Sequence, residues 1–141
     1  PFFQAGGFQV YVQGGKYRPR KMLELFREHD RAVIFGTSSF WTGVDVSGEA
    51  LSNVIICKLP FAVPDHPLIE ARGEMIQSRG GNSFKEYSLP EAVLKFRQGF
   101  GRLIRTRDDK GIVVILDSRI KQKFYGRFFL ESIPECPVEM F

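Results

Sequence analysis

The sequence contains little that could hold a metal. It has two cysteines, Cys57 and Cys136, and two histidines, His29 and His66. Two cysteines cannot form a disulfide framework, a four-cysteine zinc site or an iron–sulfur site. The histidines have no partner at ligand spacing, so we expect no histidine-based metal site. The cysteine content fits a reducing cytoplasm, and we expect Cys57, inside an apolar run, to be a buried thiol.

The sequence also lacks long apolar runs. No stretch approaches the roughly 20 apolar residues of a membrane span, and the first residues do not resemble a signal peptide. The 141 residues are 43% apolar and 26% charged, which is a soluble globular composition. This length suits a single domain and is small for a multi-step enzyme. Because an initiator Met is absent as well, we expect a fragment of a longer chain.

Positive charge is concentrated in residues 97–127, which contain nine Lys or Arg and three acidic residues. That segment carries +6 and the whole chain +4, so the remainder carries −2. A concentrated basic segment indicates binding to phosphate, either of a nucleotide or of a nucleic-acid backbone. A solvated basic surface is the alternative, and for residues 119–127 neither interpretation is favoured.

Short apolar runs alternate with helical patterns along the chain. Three Val/Ile-rich runs are typical of parallel strands buried on both faces, and an alternating run is typical of a strand nearer an edge. In chain order, the predicted strands are 8–12, 32–35, 54–57 and 112–116. Helices are predicted from Pro19, over 67–79, over 88–106 with a Ser88/Glu91 capping box, and over 122–130. This alternation predicts an α/β fold with a parallel sheet flanked by helices.

The helix predicted over 88–106 has a polar and an apolar face. At about 100° per residue, Gln98, Arg102 and Arg105 share one face. The opposite face is apolar and contains Val93, Phe96, Phe100 and Leu103. Two arginines one turn apart suit a polyanion, and a nearby glycine, Gly101, lets a loop or phosphate approach. A solvated arginine face with incidental glycines is the alternative.

The loop after strand 32–35 is a second candidate site. Ligands of α/β proteins bind at the carboxyl ends of the strands, where this loop begins. It contains three consecutive hydroxyl residues, Thr37, Ser38 and Ser39, followed by Gly43 and Asp45. Hydroxyls and backbone N–H groups bind phosphates. The alternative is a hydroxyl-stabilised turn whose aromatic residues pack in the core.

A complete nucleotide site is not encoded in the chain. Gly15-Lys16 lacks both the upstream glycine and the following Ser or Thr of a P-loop. Gly99-Phe-Gly101 resembles a dinucleotide fingerprint, but Ile104 stands where the third glycine belongs. We therefore expect another domain to hold most of any nucleotide.

Two segments resemble motifs of superfamily 2 helicases. Gln98-Gly-Phe-Gly101-Arg102-Leu-Ile-Arg105 resembles motif VI (Q-x-x-G-R-x-x-R), and Ser39-Phe-Trp-Thr-Gly43-Val-Asp45 resembles motif V of the DinG/XPD branch. The run 51–61, Asp108-x-x-Gly111 and Asp117-Ser-Arg119 keep the order of that branch. The resemblance extends from about Phe8 to Pro134.

The resemblance implies that residues 1–141 are the second, C-terminal RecA-like motor domain of a DinG-like DNA helicase. The first motor domain, which carries most of the ATP and Mg²⁺ site, and the motif IV region would lie outside this chain. So would an iron–sulfur cluster or an exonuclease domain, each found in some members of the branch. The implied partners are single-stranded DNA and the first RecA-like domain of the same polypeptide. The intact protein is expected to be a cytoplasmic, monomeric helicase of DNA repair or replication that moves 5′ to 3′.

The resemblance also implies roles for individual residues. Arg105 would be the arginine finger on the γ-phosphate, Arg102 would lie beside it, and Gln98 would contact the triphosphate or its attacking water. Gly101 belongs to the same ATP-binding motif, and Gly43 and Asp45 would couple the nucleotide to the DNA-facing loop. The residues implied to contact DNA are Thr37, Ser38, Ser39 and Lys58. We expect no metal ligand in this chain.

The chain departs from the branch at Thr42, where a Glu usually precedes the glycine of motif V. The contact between motifs V and VI is therefore left open for this chain. Two other functions remain as alternatives to the motor domain. One is a non-catalytic nucleic-acid-binding module, and the other is a scaffold domain in a nuclease-linked, helicase-like protein.

Overall fold

The computed structural model describes residues 2–37, 40, 51–63, 66–103 and 110–141. The chain divides into two compact units. Unit one contains residues 1–54 and 101–112, and unit two contains residues 55–100 and 113–141. No helix in the described ranges is long and apolar enough to cross a membrane.

Unit one is built around a parallel pair of strands. Strand β1 (Gln9–Val12) follows the short helix α1 (Phe2–Ala5) and pairs with β2 (Ala32–Phe35), with Gln9 opposite Ala32. Helix α2 (Pro19–Glu28) connects the two strands. Its apolar stripe, Met22, Leu23 and Phe26, is buried and packs with Tyr11 of β1. The helix predicted from Pro19 and its core face are confirmed.

A second two-stranded sheet contains β3 (Asn53–Ile56) and β4 (Ile112–Ile115). The N–H of Ile112 donates to Ser52 O at 3.0 Å, and the N–H of Leu116 donates to Ile56 O at 2.9 Å. The bonded positions advance in the same direction along both strands, so this pair is parallel as well. The predicted α/β class with parallel strands is confirmed. In the described residues the strands form two pairs.

Unit two contains most of the helices and an aromatic core. Its helices are α3 (Pro67–Ser78), a π-helical turn (Phe84–Ser88) that continues into α4 (Leu89–Leu103), α5 (Arg119–Gln122) and α6 (Gly126–Glu131). The last three residues of α4 are assigned to unit one. Phe96 of α4 and Phe129 of α6 are fully buried, with ring centroids 5.3 Å apart. Phe61 packs against Phe129 at 5.8 Å. These rings hold α4 and α6 together through apolar burial and edge-to-face contacts.

The predicted capping box at Ser88 is wrong, because the helical path starts further upstream. Lys85 N–H donates to Asn82 Oδ1 at 2.9 Å, and Asn82 N–H donates to Glu86 Oε1 at 2.8 Å. This reciprocal side-chain bonding caps the helical start near Asn82. Ser88 therefore lies inside a continuous helical segment.

Three further predictions differ from the structure. The helix expected over 122–130 is interrupted between α5 and α6. The strands are not buried on both faces, since exposed and half-buried residues alternate along β4. Cys57 is exposed, because β3 ends at Ile56 and Cys57 follows it.

Candidate functional site

Helix α4 separates an apolar from a polar face, as its periodicity predicts. Phe96, Phe100 and Leu103 are at most 7% exposed. Gln98 is exposed, and Arg102, four residues later, is half-buried. Residues four apart are neighbours on a helix surface, so an amide and a guanidinium lie side by side. Arg105 lies outside the described residues.

Gly101 interrupts this polar face and is exposed. A Cβ built at this position has no heavy atom within 4 Å among the described parts of the chain. A helical glycine costs about 1 kcal/mol relative to alanine. Packing within the described residues gives no reason for that cost. Among the described residues, this leaves room for another group to approach the helix beside Gly101.

The loop after β2 begins with a hydroxyl held by a side-chain amide. Thr37 donates to Gln13 Oε1 twice, from its N–H at 2.8 Å and from its hydroxyl at 3.0 Å. Gln13 is itself attached to the end of β2, since its N–H donates to Phe35 O at 2.9 Å. The conformation at Thr37 is thus fixed by the residue that follows β1. Ser38, Ser39, Gly43 and Asp45 lie outside the described residues.

The role of Gln13 was not predicted from the sequence. The available signal was positional, because Gln13 directly follows β1 and Thr37 follows β2 by two residues. The carboxyl ends of neighbouring parallel strands meet at one sheet edge.

At the end of β4, Asp117 makes an ion pair with Arg119. Arg119 Nη2 lies 2.6 Å from Asp117 Oδ2, and Arg119 Nε lies 2.9 Å from Oδ1. The N–H of Leu59 donates to Asp117 Oδ2 at 2.8 Å. The hydrogen bond from Arg119 is the main reason that the pKa of Asp117 is lowered to about 2, against the opposing effect of burial. The same bond raises the pKa of Arg119.

The Asp117 carboxylate connects two segments of unit two through the hydrogen bond from Leu59. Asp117 lies beyond β4, whereas Leu59 lies beyond β3 and directly follows Lys58. Lys58 is exposed. The carboxylate therefore fixes the backbone beside a residue that the family resemblance assigns to DNA contact. The sequence alone assigns Asp117-Ser-Arg119 no role beyond its place in the order of the motifs.

The predicted site residues thus fall into separate groups. Gln98, Gly101 and Arg102 share helix α4, Thr37 follows β2 in unit one, and Lys58 follows β3 in unit two. Within the described ranges, no group of three or more His, Cys, Asp or Glu side chains is arranged to hold a metal ion. Polar hydrogen-bond donors are the common feature of these groups, and donors of this kind suit phosphate oxygens.

Comparison with known proteins gives a family match over most of the chain. The model of the helicase C-terminal domain matches residues 3–136. The 3′-5′ exonuclease DinG of Bacillus subtilis is 47% identical over 135 residues, 95% of this chain and 14% of that protein. The ATP-dependent DNA helicase YoaA of Haemophilus influenzae is 49% identical over 94% of this chain and 21% of its own length. The ATP-dependent DNA helicase DinG of Photobacterium profundum is 42% identical over 95% and 20%.

The chain therefore spans about a fifth or less of the length of these relatives. Their names differ in activity, since one is called an exonuclease and two are called helicases. The family match covers segments 39–45 and 98–105, the two segments that resembled motifs V and VI.

Proposed function

Because the chain belongs to the helicase C-terminal domain family, we propose that it is the second motor domain of an ATP-dependent, DinG-like DNA helicase. In this proposal ATP lies between this domain and a first RecA-like domain of the same polypeptide. The first domain holds most of the ATP and Mg²⁺. This domain supplies the groups that complete the site from the opposite side and part of the single-stranded DNA track.

The observation that supports the proposal best is the polar face of helix α4. Gln98 is exposed, Arg102 is half-buried and the helix is open at Gly101, while Phe96 and Phe100 bury the opposite face. A helix anchored on one side can present donors to a nucleotide without reorganising, which is the arrangement that favours electrostatic catalysis. Gly101 leaves space for the nucleotide or for the facing domain.

Arg105 follows Arg102 by three residues, so a continued helix would carry it on the same face. As the arginine finger, its guanidinium would stabilise the charge that develops on the γ-phosphoryl oxygens during transfer. Arg102 would support the same region and Gln98 would orient the triphosphate or its attacking water. Closing and reopening of the cleft between the two motor domains would then move the protein along DNA.

The DNA track in this proposal includes the hydroxyl loop after β2 and the segment after β3. Two hydrogen bonds that Thr37 donates to Gln13 fix Thr37, and Asp117 fixes the backbone next to Lys58. Ser38 and Ser39 would add hydroxyls to the same loop, and Gly43 and Asp45 would connect it to the nucleotide. Movement 5′ to 3′, a cytoplasmic location, a monomeric state and a role in repair or replication are parts of the proposal that rest on the family resemblance alone.

The names of the relatives suggest a second function, that of a scaffold domain in a nuclease. The relative from Bacillus subtilis is called a 3′-5′ exonuclease and is 47% identical to this chain. In such a protein the domain would bind nucleic acid without contributing to hydrolysis of ATP. The two functions differ in one measurable property, which is whether the polar face of α4 is needed for ATP turnover.

Substitution of Gly101→Ala in the full-length protein tests this property. Alanine meets no described neighbour and favours the helix, so we expect the free energy of unfolding to rise by about 0.5–1 kcal/mol. Turnover of ATP stimulated by single-stranded DNA should nevertheless fall by about tenfold or more, because the added methyl group occupies space needed by the nucleotide or the facing domain.

Leu94→Ala is the matched control, since it places alanine at another exposed position of α4. It should leave turnover at the native level. Native turnover in Gly101→Ala, or a native protein whose ATPase is not stimulated by DNA, would favour the scaffold function.

A further inference from the structure

A basic turn with an exposed aromatic ring extends from the first residue of α5 to the second residue of α6. We call residues 119–127 the basic turn. It contains Arg119, Lys121, Lys123 and Arg127, and no acidic residue occurs from 118 to 130. Lys121, Lys123 and Arg127 are exposed, and none of the three belongs to an ion pair within the described residues. Arg119 differs, because it is bound to Asp117.

Phe124 projects from this turn beside Lys123. Its side chain is 62% exposed. Its ring lies edge-on to Tyr125, with centroids 5.4 Å apart. Tyr125 in turn packs against Phe61 at 5.5 Å and Phe84 at 5.3 Å. The exposed ring of Phe124 therefore contacts the aromatic core of unit two through Tyr125.

Hydrogen bonds and close packing constrain the backbone conformation of the basic turn. Lys123 N–H donates to Arg119 O at 3.0 Å, and Gly126 N–H donates to Lys123 O at 2.9 Å. A Cβ at Gly126 would collide with the carbonyl group of Ile120, so this close approach requires glycine. The Asp117–Arg119 ion pair fixes the beginning of the turn. The exposure of Phe124 thus follows from a constrained backbone.

We infer that the basic turn is a contact for single-stranded DNA, in which Lys121, Lys123 and Arg127 bind phosphates and Phe124 stacks on a base. The inference rests on the proposed function and adds a surface to it. Cations combined with an aromatic platform are what sequence-tolerant single-strand binding needs. The faces of the bases are accessible in a single strand and covered in a duplex. Charge complementarity favours a polyanion over an apolar protein surface as the occupant.

The test measures binding of a labelled oligo(dT) to the full-length protein by fluorescence anisotropy. Replacing Phe124 by Ala should weaken binding by about 5- to 150-fold, the range for loss of one stacked base. Phe124→Tyr, which keeps the ring, should bind like the native protein, whereas Phe124→Leu should bind like Phe124→Ala. Lys123→Gln should lower the slope of log K against log salt concentration by about 0.7, as expected for one lost phosphate contact on a single strand.

Two control variants match these changes in exposure and residue type. Phe2→Ala removes another exposed phenylalanine, 84% accessible, and Lys85→Gln removes another exposed lysine. Both should bind oligo(dT) like the native protein. DNA-stimulated ATP turnover measured at saturating DNA should also be native in Phe124→Ala, because the ring is not placed in the ATP site.

Four outcomes would overturn the inference. Native affinity in both Phe124→Ala and Lys123→Gln, with DNA-stimulated ATPase intact, would refute the DNA contact at the basic turn. The proposed function would still stand. Weak binding by Phe124→Ala but native binding by Phe124→Leu would show an apolar contact without stacking. A lower melting temperature in these variants with unchanged DNA affinity would show that another part of the protein covers the turn. A native protein without single-strand affinity would refute both proposals.

Discussion

The ends of strands β2 and β4 are held in different ways, although both strands belong to parallel pairs. After β2, Thr37 is bound by the neutral amide of Gln13, and both side chains are at least partly accessible to solvent. After β4, Asp117 is bound by the guanidinium of Arg119 and by Leu59 N–H, with only 8% of its side chain exposed. Hydrogen bonds between charged groups are about twice as strong as neutral ones.

This difference matters for a motor domain, because its two contact segments would have different tasks. The loop after β2 leads into the segment that resembles motif V, which must respond to the nucleotide in the proposed function. The segment after β3 carries Lys58 and is fixed by a charge-assisted contact. We interpret the neutral contact as the more easily opened one and the ionic contact as a constant part of the fold.

The largest expected effect of breaking these contacts is at Asp117. Replacing Asp117 by Ala removes the acceptor of Leu59 N–H and leaves Arg119 without its partner, so we expect a loss of about 2–3 kcal/mol of local stability. Replacing Gln13 by Ala removes two neutral hydrogen bonds at an accessible site and should cost about 1 kcal/mol. Hydrogen exchange in the intact protein measures both, at the amides of Leu59 and Thr37.

Glu24→Ala is the control, since it removes only exposed ion pairs with Arg20 and Lys21. Such pairs contribute about 0–1 kcal/mol, so exchange at Leu59 and Thr37 should not change. Equal acceleration at the two amides in their respective variants would contradict the distinction between an ionic and a neutral contact.

A change of pH should have a smaller effect. It should alter the stability that Asp117 contributes and leave the contribution of Gln13 unchanged. The folded pKa of Asp117 is about 2, below its ordinary value of 3.8. A depressed folded pKa adds stability above the ordinary value, and this stability is lost as the pH falls through the folded value. The difference in melting temperature between the native protein and Asp117→Ala should therefore shrink below pH 3.8 towards about 2. The difference for Gln13→Ala should stay constant over the same range.

Local patterns were sufficient for much of the fold. Met22, Leu23 and Phe26 are buried as their helical spacing predicts, and β2 has its predicted bounds. Burial of Phe96 and Phe100 likewise follows from spacing within one helix. These features depend on neighbours within a turn or two of chain, so the sequence carries enough information to predict them.

The remaining features depend on contacts that a local pattern does not contain. Ser88 matches a capping box, but Asn82 and Glu86 bond to each other further upstream and begin the helical path there. Gln13 and Thr37 are 24 residues apart, and Asp117 and Leu59 are 58 apart. Such pairs form only after the parallel strands have aligned, and the sequence alone identified neither pair.

The central claim is that the polar face of α4 completes an ATP site, and its most direct test is Arg105→Ala in the full-length protein. ATP turnover and affinity are measured with single-stranded DNA, and Arg97→Ala, an exposed arginine of the same helix outside the motif, is the control. The account predicts that Arg105→Ala loses turnover by about 10³ or more and still binds DNA, while Arg97→Ala keeps native turnover. Native turnover in Arg105→Ala would contradict the account, and the domain would then be a binding or scaffold module.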